Sequence, residues 1–128
     1  MVELDIEREY NLEINYYHSR LEGEINVIYQ NADDILSIME VGEYFTTKEI
    51  VKEFSIIGRT VINEGKNMKK RFKLPQDIEK KIDNIIKEGV FFHQLTGEEA
   101  NKKIINKAKN IKRLISEIIK SLFKLSNE

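Results

Sequence analysis

Apolar side chains recur along most of this chain every three or four residues, the spacing that lines one face of an α-helix. Over residues 3–40 the seam is Ile6, Tyr10, Ile14, Tyr17, Leu21, Ile25, Ile28, Ala32, Ile35 and Met39. A second pattern competes at its start. Val2, Leu4, Ile6, Tyr10, Leu12, Ile14 and Tyr16 alternate with polar residues as in a half-buried strand, and only Arg8 breaks the alternation. Helix is favoured, with an N-terminal strand or hairpin as the alternative. Ser19 and Glu22 have capping-box spacing, so a helix is expected to start afresh near Arg20.

The pattern restarts after Val41-Gly42. Thr46 followed by Glu49 predicts a helix from Thr47 with Ile50, Val51 and Phe54 on its apolar face. Ser55-Ile56-Ile57-Gly58 reads as a short turn. A further helix is expected from Arg59 to about Arg71, with Val61 and Ile62 early in it. Leu74-Pro75 interrupts, because proline disfavours helix at the residue before it. Ile78, Ile82, Ile85 and Ile86 predict a helix over 75–88, with Gly89 as its C-terminal cap. Val90-Phe91-Phe92-His93-Gln94-Leu95 reads as one short strand. Thr96 and Glu99 form another capping box, and the last helix is expected over 97–125 on the seam Ile104, Ala108, Ile111, Ile115, Ile118, Leu122, Leu125.

Composition supports a mainly α single domain over 1–128, a small helical bundle. The chain is 41% hydrophobic and 34% charged, with one proline and six glycines, which leaves long stretches free of helix breakers. It has no cysteine, so disulfides and thiolate chemistry are excluded. No apolar run approaches the ~18 residues of a membrane span, and the acidic start MVELDIEREY lacks a secretory core; a cytoplasmic protein with no membrane partner is expected.

The net charge of −1 conceals an asymmetry. Residues 1–40 carry ten acids and two bases, residues 41–65 four and three, and residues 66–128 eight and sixteen. Either the acidic and basic parts attract each other, within or between chains, or the basic part meets an external polyanion.

The stretch ILSIMEVGEYFTTKEIVKEFSIIGRTVINEGKNMKKRF, residues 33–72 or nearly so, resembles the core of helix-turn-helix and winged-helix DNA-binding domains. In that likeness Ile35, Leu36 and Met39 belong to a supporting helix, TTKEIVKEF is the second helix and GRTVINEGKNMKK the recognition helix. Ile50, Val51 and Phe54 would face Ile56 and Val61 across the turn. The resemblance implies duplex DNA as partner and a role in transcription regulation, with Thr47, Lys48, Arg59, Thr60, Asn63, Lys66, Lys69, Lys70 and Arg71 as DNA-binding residues. Arg59 would suit guanine and Asn63 adenine, while the lysines and Arg71 neutralise phosphates. Three positions depart from the pattern: Ser55 replaces the usual turn glycine, Val51 a smaller alanine, and Glu64 a buried apolar residue.

The seams of 3–40 and 97–125 are wide enough to pack into a bundle or to join protomers, so a dimer or other homo-oligomer is expected through them. The rival to DNA binding is a non-enzymatic helical interaction protein, an adaptor, immunity- or antitoxin-like partner or assembly protein. A third class would place single-stranded nucleic acid on Lys102, Lys103, Lys107 and Lys109 of the last helix. His18 and His93 are the only histidines, and neither a metal centre nor a cofactor is expected. Ser19-Arg20-Leu21-Glu22-Gly23 resembles the inhibitory helix of Fic-type AMP transferases, but their histidine-containing catalytic loop has no counterpart. No phosphate-binding glycine loop or nucleophile elbow is present, and no enzymatic activity is expected.

Overall fold

The computed structural model describes residue 21, residues 23–40 and residues 48–127. The regular elements among them are helices: α1 over 23–40, α2 over Lys48–Arg71, α3 over Gln76–His93 and α4 over Asn101–Asn127. Among the described residues no strand forms, so the short strand expected at 90–95 is absent; Val90 to His93 continue α3. The alternating stretch 2–16, the Ser19–Glu22 box, His18, Thr46 and Thr47 lie outside the described residues.

Two helices read as separate in the sequence are one. Ser55-Ile56-Ile57-Gly58 is helical, and α2 runs without a break from Lys48 to Arg71. A single 3.6-residue period explains why. Phe54, Ile57, Gly58, Val61, Gly65 and Met68 all fall on one buried face, continuous through the supposed turn. Ile56, assigned to the packing side of a helix-turn-helix, is instead 66% exposed. Glu49 in the first turn and Lys69, Lys70 and Arg71 in the last suit the dipole of one long helix.

α2 and α3 pack antiparallel at unusually short range. Ser55 meets His93, Gly58 meets Gly89, Gly65 meets Ile86 and Ile82, and Lys69 meets Asp83. A Cβ at Gly58 would lie 2.4 Å from the backbone N of His93 and 2.5 Å from the carbonyl oxygen of Gly89. Both glycines therefore serve the helix crossing, not a turn or a C-terminal cap, which is why α3 continues past Gly89. Above the crossing the Ser55 hydroxyl donates to the His93 carbonyl at 2.9 Å, and the His93 Nδ1 lies 3.2 Å from the Ser55 carbonyl oxygen.

α3 packs on α4 as well as on α2. α1 touches the other two neighbours: Arg71 at the end of α2 donates to Glu24, and Lys112 in the middle of α4 donates to Asp33 at 2.8 Å while lying 4.8 Å from the Tyr29 ring centre. The helices thus share one interior, with α1 tied to both α2 and α4. That interior takes Leu21, Ile25, Ile28, Ala32 and Ile35 from α1 and its rim, and Phe54, Val61 and Met68 from α2. Ile78, Ile82, Ile85 and Phe92 of α3 and Ile104, Ala108, Ile111, Ile115, Ile118 and Leu122 of α4 complete it. The seams expected to join protomers through 3–40 and 97–125 are, in their described parts, covered within one chain.

The connection before α4 is built around a carboxylate. Glu99 accepts from the Thr96 backbone N–H at 3.1 Å, from the Gly97 N–H at 2.9 Å and from the Thr96 hydroxyl at 3.0 Å. Gly97 adopts a φ of 96°, which points its N–H inward at low steric cost. The helix itself starts at Asn101, four residues later than the capping-box spacing suggests. Burial opposes ionisation of Glu99, but donors from the Thr96, Glu99 and Gly97 backbone and the Thr96 hydroxyl outweigh it and hold the carboxyl below the ordinary carboxylate range. A depressed folded pKa contributes stability above the unfolded pKa and loses it as pH falls through the folded value. Glu99→Gln is therefore expected to destabilise at neutral pH by about 0.5–1 kcal/mol, the size of a lost cap at an open site. In urea melts the gap to wild type should close as pH drops below the ordinary glutamate range; an unchanged gap would contradict the charge-based role.

Candidate interaction face on α2 and α3

The candidate DNA-binding residues separate into two groups once α2 is one rod. Thr47 lies outside the described residues. Lys69 is committed to Asp83 at 2.6 Å, and that hydrogen bond raises the lysine pKa above its ordinary value. Arg71 is tied to Glu24, which is 7% exposed, and its guanidinium lies 5.5 Å from the Phe72 ring centre. The Thr60 hydroxyl donates to the Ile56 carbonyl of its own helix at 3.1 Å. Lys48, Arg59, Asn63, Lys66 and Lys70 remain, all exposed, and none of these four cations is in an ion pair among the described residues.

The remaining cations are arranged, and the rows of α2 show how. Ser55, Ile62 and Lys69 are spaced by seven and face α3, since they meet His93, Gly89 and Asp83. Arg59 and Lys66 lie four residues after Ser55 and Ile62, so they border that row on its solvent side. Lys52, which the motif reading passed over, is exposed and continues the line of Arg59 and Lys66 seven residues upstream. A row of this kind places a cation every ~10.5 Å along the rod. Glu53 and Glu64 of α2 take the other flank, while Glu49 lies seven residues before Ile56, in its row. Glu64 sits seven residues before Arg71, in the row that meets α1, and Glu53 falls in that same direction.

α3 extends the cationic side. Lys80 and Lys87 are exposed and outside any ion pair among the described residues. Val90 is 37% exposed and lies seven residues after Asp83, in the row that borders α2. The face therefore has cations beside two exposed apolar side chains, with Glu49 in the row of Ile56 and the Lys69-paired Asp83 in the row of Val90. Because Gly58 and Gly89 draw the two backbones together, both helices contribute to one surface rather than to two ridges with a cleft between them. The sequence signal for Lys52 and Val90 was the 3.6-residue period itself, carried without interruption through Ser55–Gly58 and Gly89.

α4 offers less. Lys103 and Lys107 sit 5.5 and 5.6 Å from the centre of the Phe91 ring, and Lys107 also pairs with the nearly buried Glu88 at 3.1 Å. The Phe91 ring is covered by the chain's own cations instead of being open to stack a base. Asn110 donates to the second Glu88 oxygen at 3.2 Å, which completes that carboxylate's partners. Among the described residues no group of His, Asp and Glu is placed to hold a metal ion, and no helix is long and apolar enough to cross a membrane. In comparisons with known proteins, no family model, no curated sequence and no solved structure matches this chain.

Proposed function

We propose that the chain is a non-enzymatic helical interaction protein that acts through protein–protein contacts, with the α2–α3 face as its binding surface. One observation carries this reading: Lys52, Arg59 and Lys66 form one exposed row on an unbroken helix, beside exposed Ile56 and next to exposed Val90 of α3, and none of the acids of α2 falls in that row. Apolar side chains beside a row of like charge fit a protein surface of opposite charge that carries its own apolar centre. A straight rod with cations at seven-residue spacing also matches the rows of a second helix.

Duplex DNA is the second reading, favoured by the joint exposure of Arg59, Asn63 and Lys66. It lacks the angled helix pair that would seat a recognition helix in a groove, so base reading by Arg59 and Asn63 loses its structural basis. Contacts to phosphates alone would remain.

Two measurements separate the readings. At ~0.15 M salt a mixed-sequence duplex should bind no tighter than the micromolar-to-submillimolar range of non-specific association. A photo-reactive residue at Asn63, used in the intact protein in its native cell, should give a polypeptide adduct that Lys52→Glu/Lys66→Glu abolishes. Nanomolar duplex binding that the same substitutions remove, or an adduct digested by nuclease and not by protease, would overturn the protein reading in favour of DNA.

A further inference from the structure

The partner's chemistry is present in the chain. Helix α1 is the opposite of the α2–α3 face: residues 21–40 contain five acids and no lysine or arginine. Glu24 and Asp33 are used by Arg71 and Lys112, but Asp34 and Glu40 are exposed and in no ion pair among the described residues. Asn26 and Gln30 are exposed on the same outward side, and the Gln30 amide donates to Asp34 at 3.0 Å. No cation interrupts that side. Val27 is 37% exposed beside it, and Asp34 follows Val27 by seven residues in the same row. The exposed large apolar residues among those described are Val27, Tyr29, Ile56 and Val90. All four lie on α1 or on the α2–α3 face, and none on α4.

We propose that a second copy of this chain docks the outward side of its α1, Val27 with Asp34 and Glu40, onto Lys52, Arg59, Lys66 and the exposed Ile56 and Val90. The proposal rests on the α2–α3 face being a protein-binding surface and names its occupant. Charge complementarity gives the direction: an outward side that carries acids and no base, with Val27 at its edge, against a row of bases beside Ile56 and Val90. The amides of Asn26 and Gln30 can accept from the same lysines and arginine without adding repulsion. The net charge of −1 leaves little overall repulsion between copies. The acidic and basic surfaces lie on different elements, α1 and the α2–α3 pair. The contact joins two different patches of the chain.

Sedimentation velocity on the full chain from ~10 to ~300 μM, at low and at high salt, tests this. Weight-average mass should rise with concentration above the 15.1 kDa chain at low salt, and the association should weaken about tenfold at high salt. Lys52→Glu/Arg59→Glu/Lys66→Glu and Asp34→Lys/Glu40→Lys should each be monomeric, with wild-type circular dichroism. Mixing the two should restore association, because each then supplies the charge that the other lacks. A wild type that stays monomeric at low salt, or a mixture that stays monomeric, overturns the self-docking. A monomeric wild type that still gives a charge-dependent polypeptide adduct at position 63 removes only this inference. Duplex DNA capture without that adduct removes the protein-binding reading beneath it.

Discussion

Replacing Gly58 by alanine is expected to destabilise the protein by about 2–4 kcal/mol, the reverse of what helix propensity alone would give. In an ordinary mid-helix position the exchange is worth ~1 kcal/mol in favour of alanine. At Gly58 the new methyl would meet the His93 nitrogen, the Gly89 oxygen and the Phe92 carbonyl carbon at 2.4, 2.5 and 2.9 Å. These obstacles are backbone atoms and cannot rotate away. The two helices must separate, and the hydrogen bond from Ser55 to His93 then goes with them. Gly23 supplies the control within the same protein: it is helical and exposed, and a Cβ there meets nothing within 4 Å. Gly23→Ala should stabilise by ~0.5–1 kcal/mol. Denaturant midpoints of both variants moving in the same direction would contradict the close crossing.

Phe92→Ala carries the second large effect, a loss of about 3–5 kcal/mol. The Phe92 side chain is fully buried and meets Phe54 edge to face, with ring centres 6.1 Å apart and planes at 86°. It also meets Phe91 at 5.2 Å and 78°. Truncation leaves an apolar void between α2 and α3 and removes pair interactions worth ~0.5–1.5 kcal/mol. Against a typical domain stability of roughly 5–15 kcal/mol, the variant should sit close to unfolding at 37 °C. Phe92→Leu keeps most of the volume and should lose clearly less. Phe92→Ala should not rescue Gly58→Ala, because the nearest atoms in that clash belong to the His93 and Gly89 backbone. A thermal melt of Phe92→Ala within a degree or two of wild type would show that these rings do not hold α2 to α3.

The helical class was legible because the 3.6-residue period is carried by large apolar residues at nearly every turn. Ile78, Ile82 and Ile85 of α3 and the Ile104 to Leu122 seam of α4 fall where that period places them. Illegible was what a glycine does when a partner backbone lies against it. Gly58 and Gly89 carry the same local signal as a turn and a C-terminal cap, since an isolated helix gains nothing from either. Their use appears only when α2 and α3 are paired. The capping-box spacing of Thr96 and Glu99 was sound as chemistry, but it stabilises the connection rather than the first turn of α4. The cation run 66–73 was visible, whereas its division was not. Lys69 and Arg71 are held by Asp83 and Glu24, carboxylates 14 and 47 residues away in sequence. Lys66 and Lys70, in the same run, point away from both.

The turn that the helix-turn-helix likeness placed at 55–58 is absent for a physical reason. Two short helices joined at an angle, and one long helix, share a local pattern of apolar residues on either side of a small polar stretch. Ser55 and Gly58 satisfied the first, while Phe54, Ile57, Val61, Gly65 and Met68 satisfy the second without a break.

A single distance decides whether the rod exists. The chain has no cysteine, so Lys48→Cys/Lys70→Cys takes two spin labels at defined, exposed positions. An unbroken α2 puts the two Cα atoms ~33 Å apart, and pulsed electron paramagnetic resonance should return one narrow distribution near that value. A distribution near ~20 Å, as two short helices meeting at a sharp angle would give, would contradict the continuous helix and the interaction face built on it.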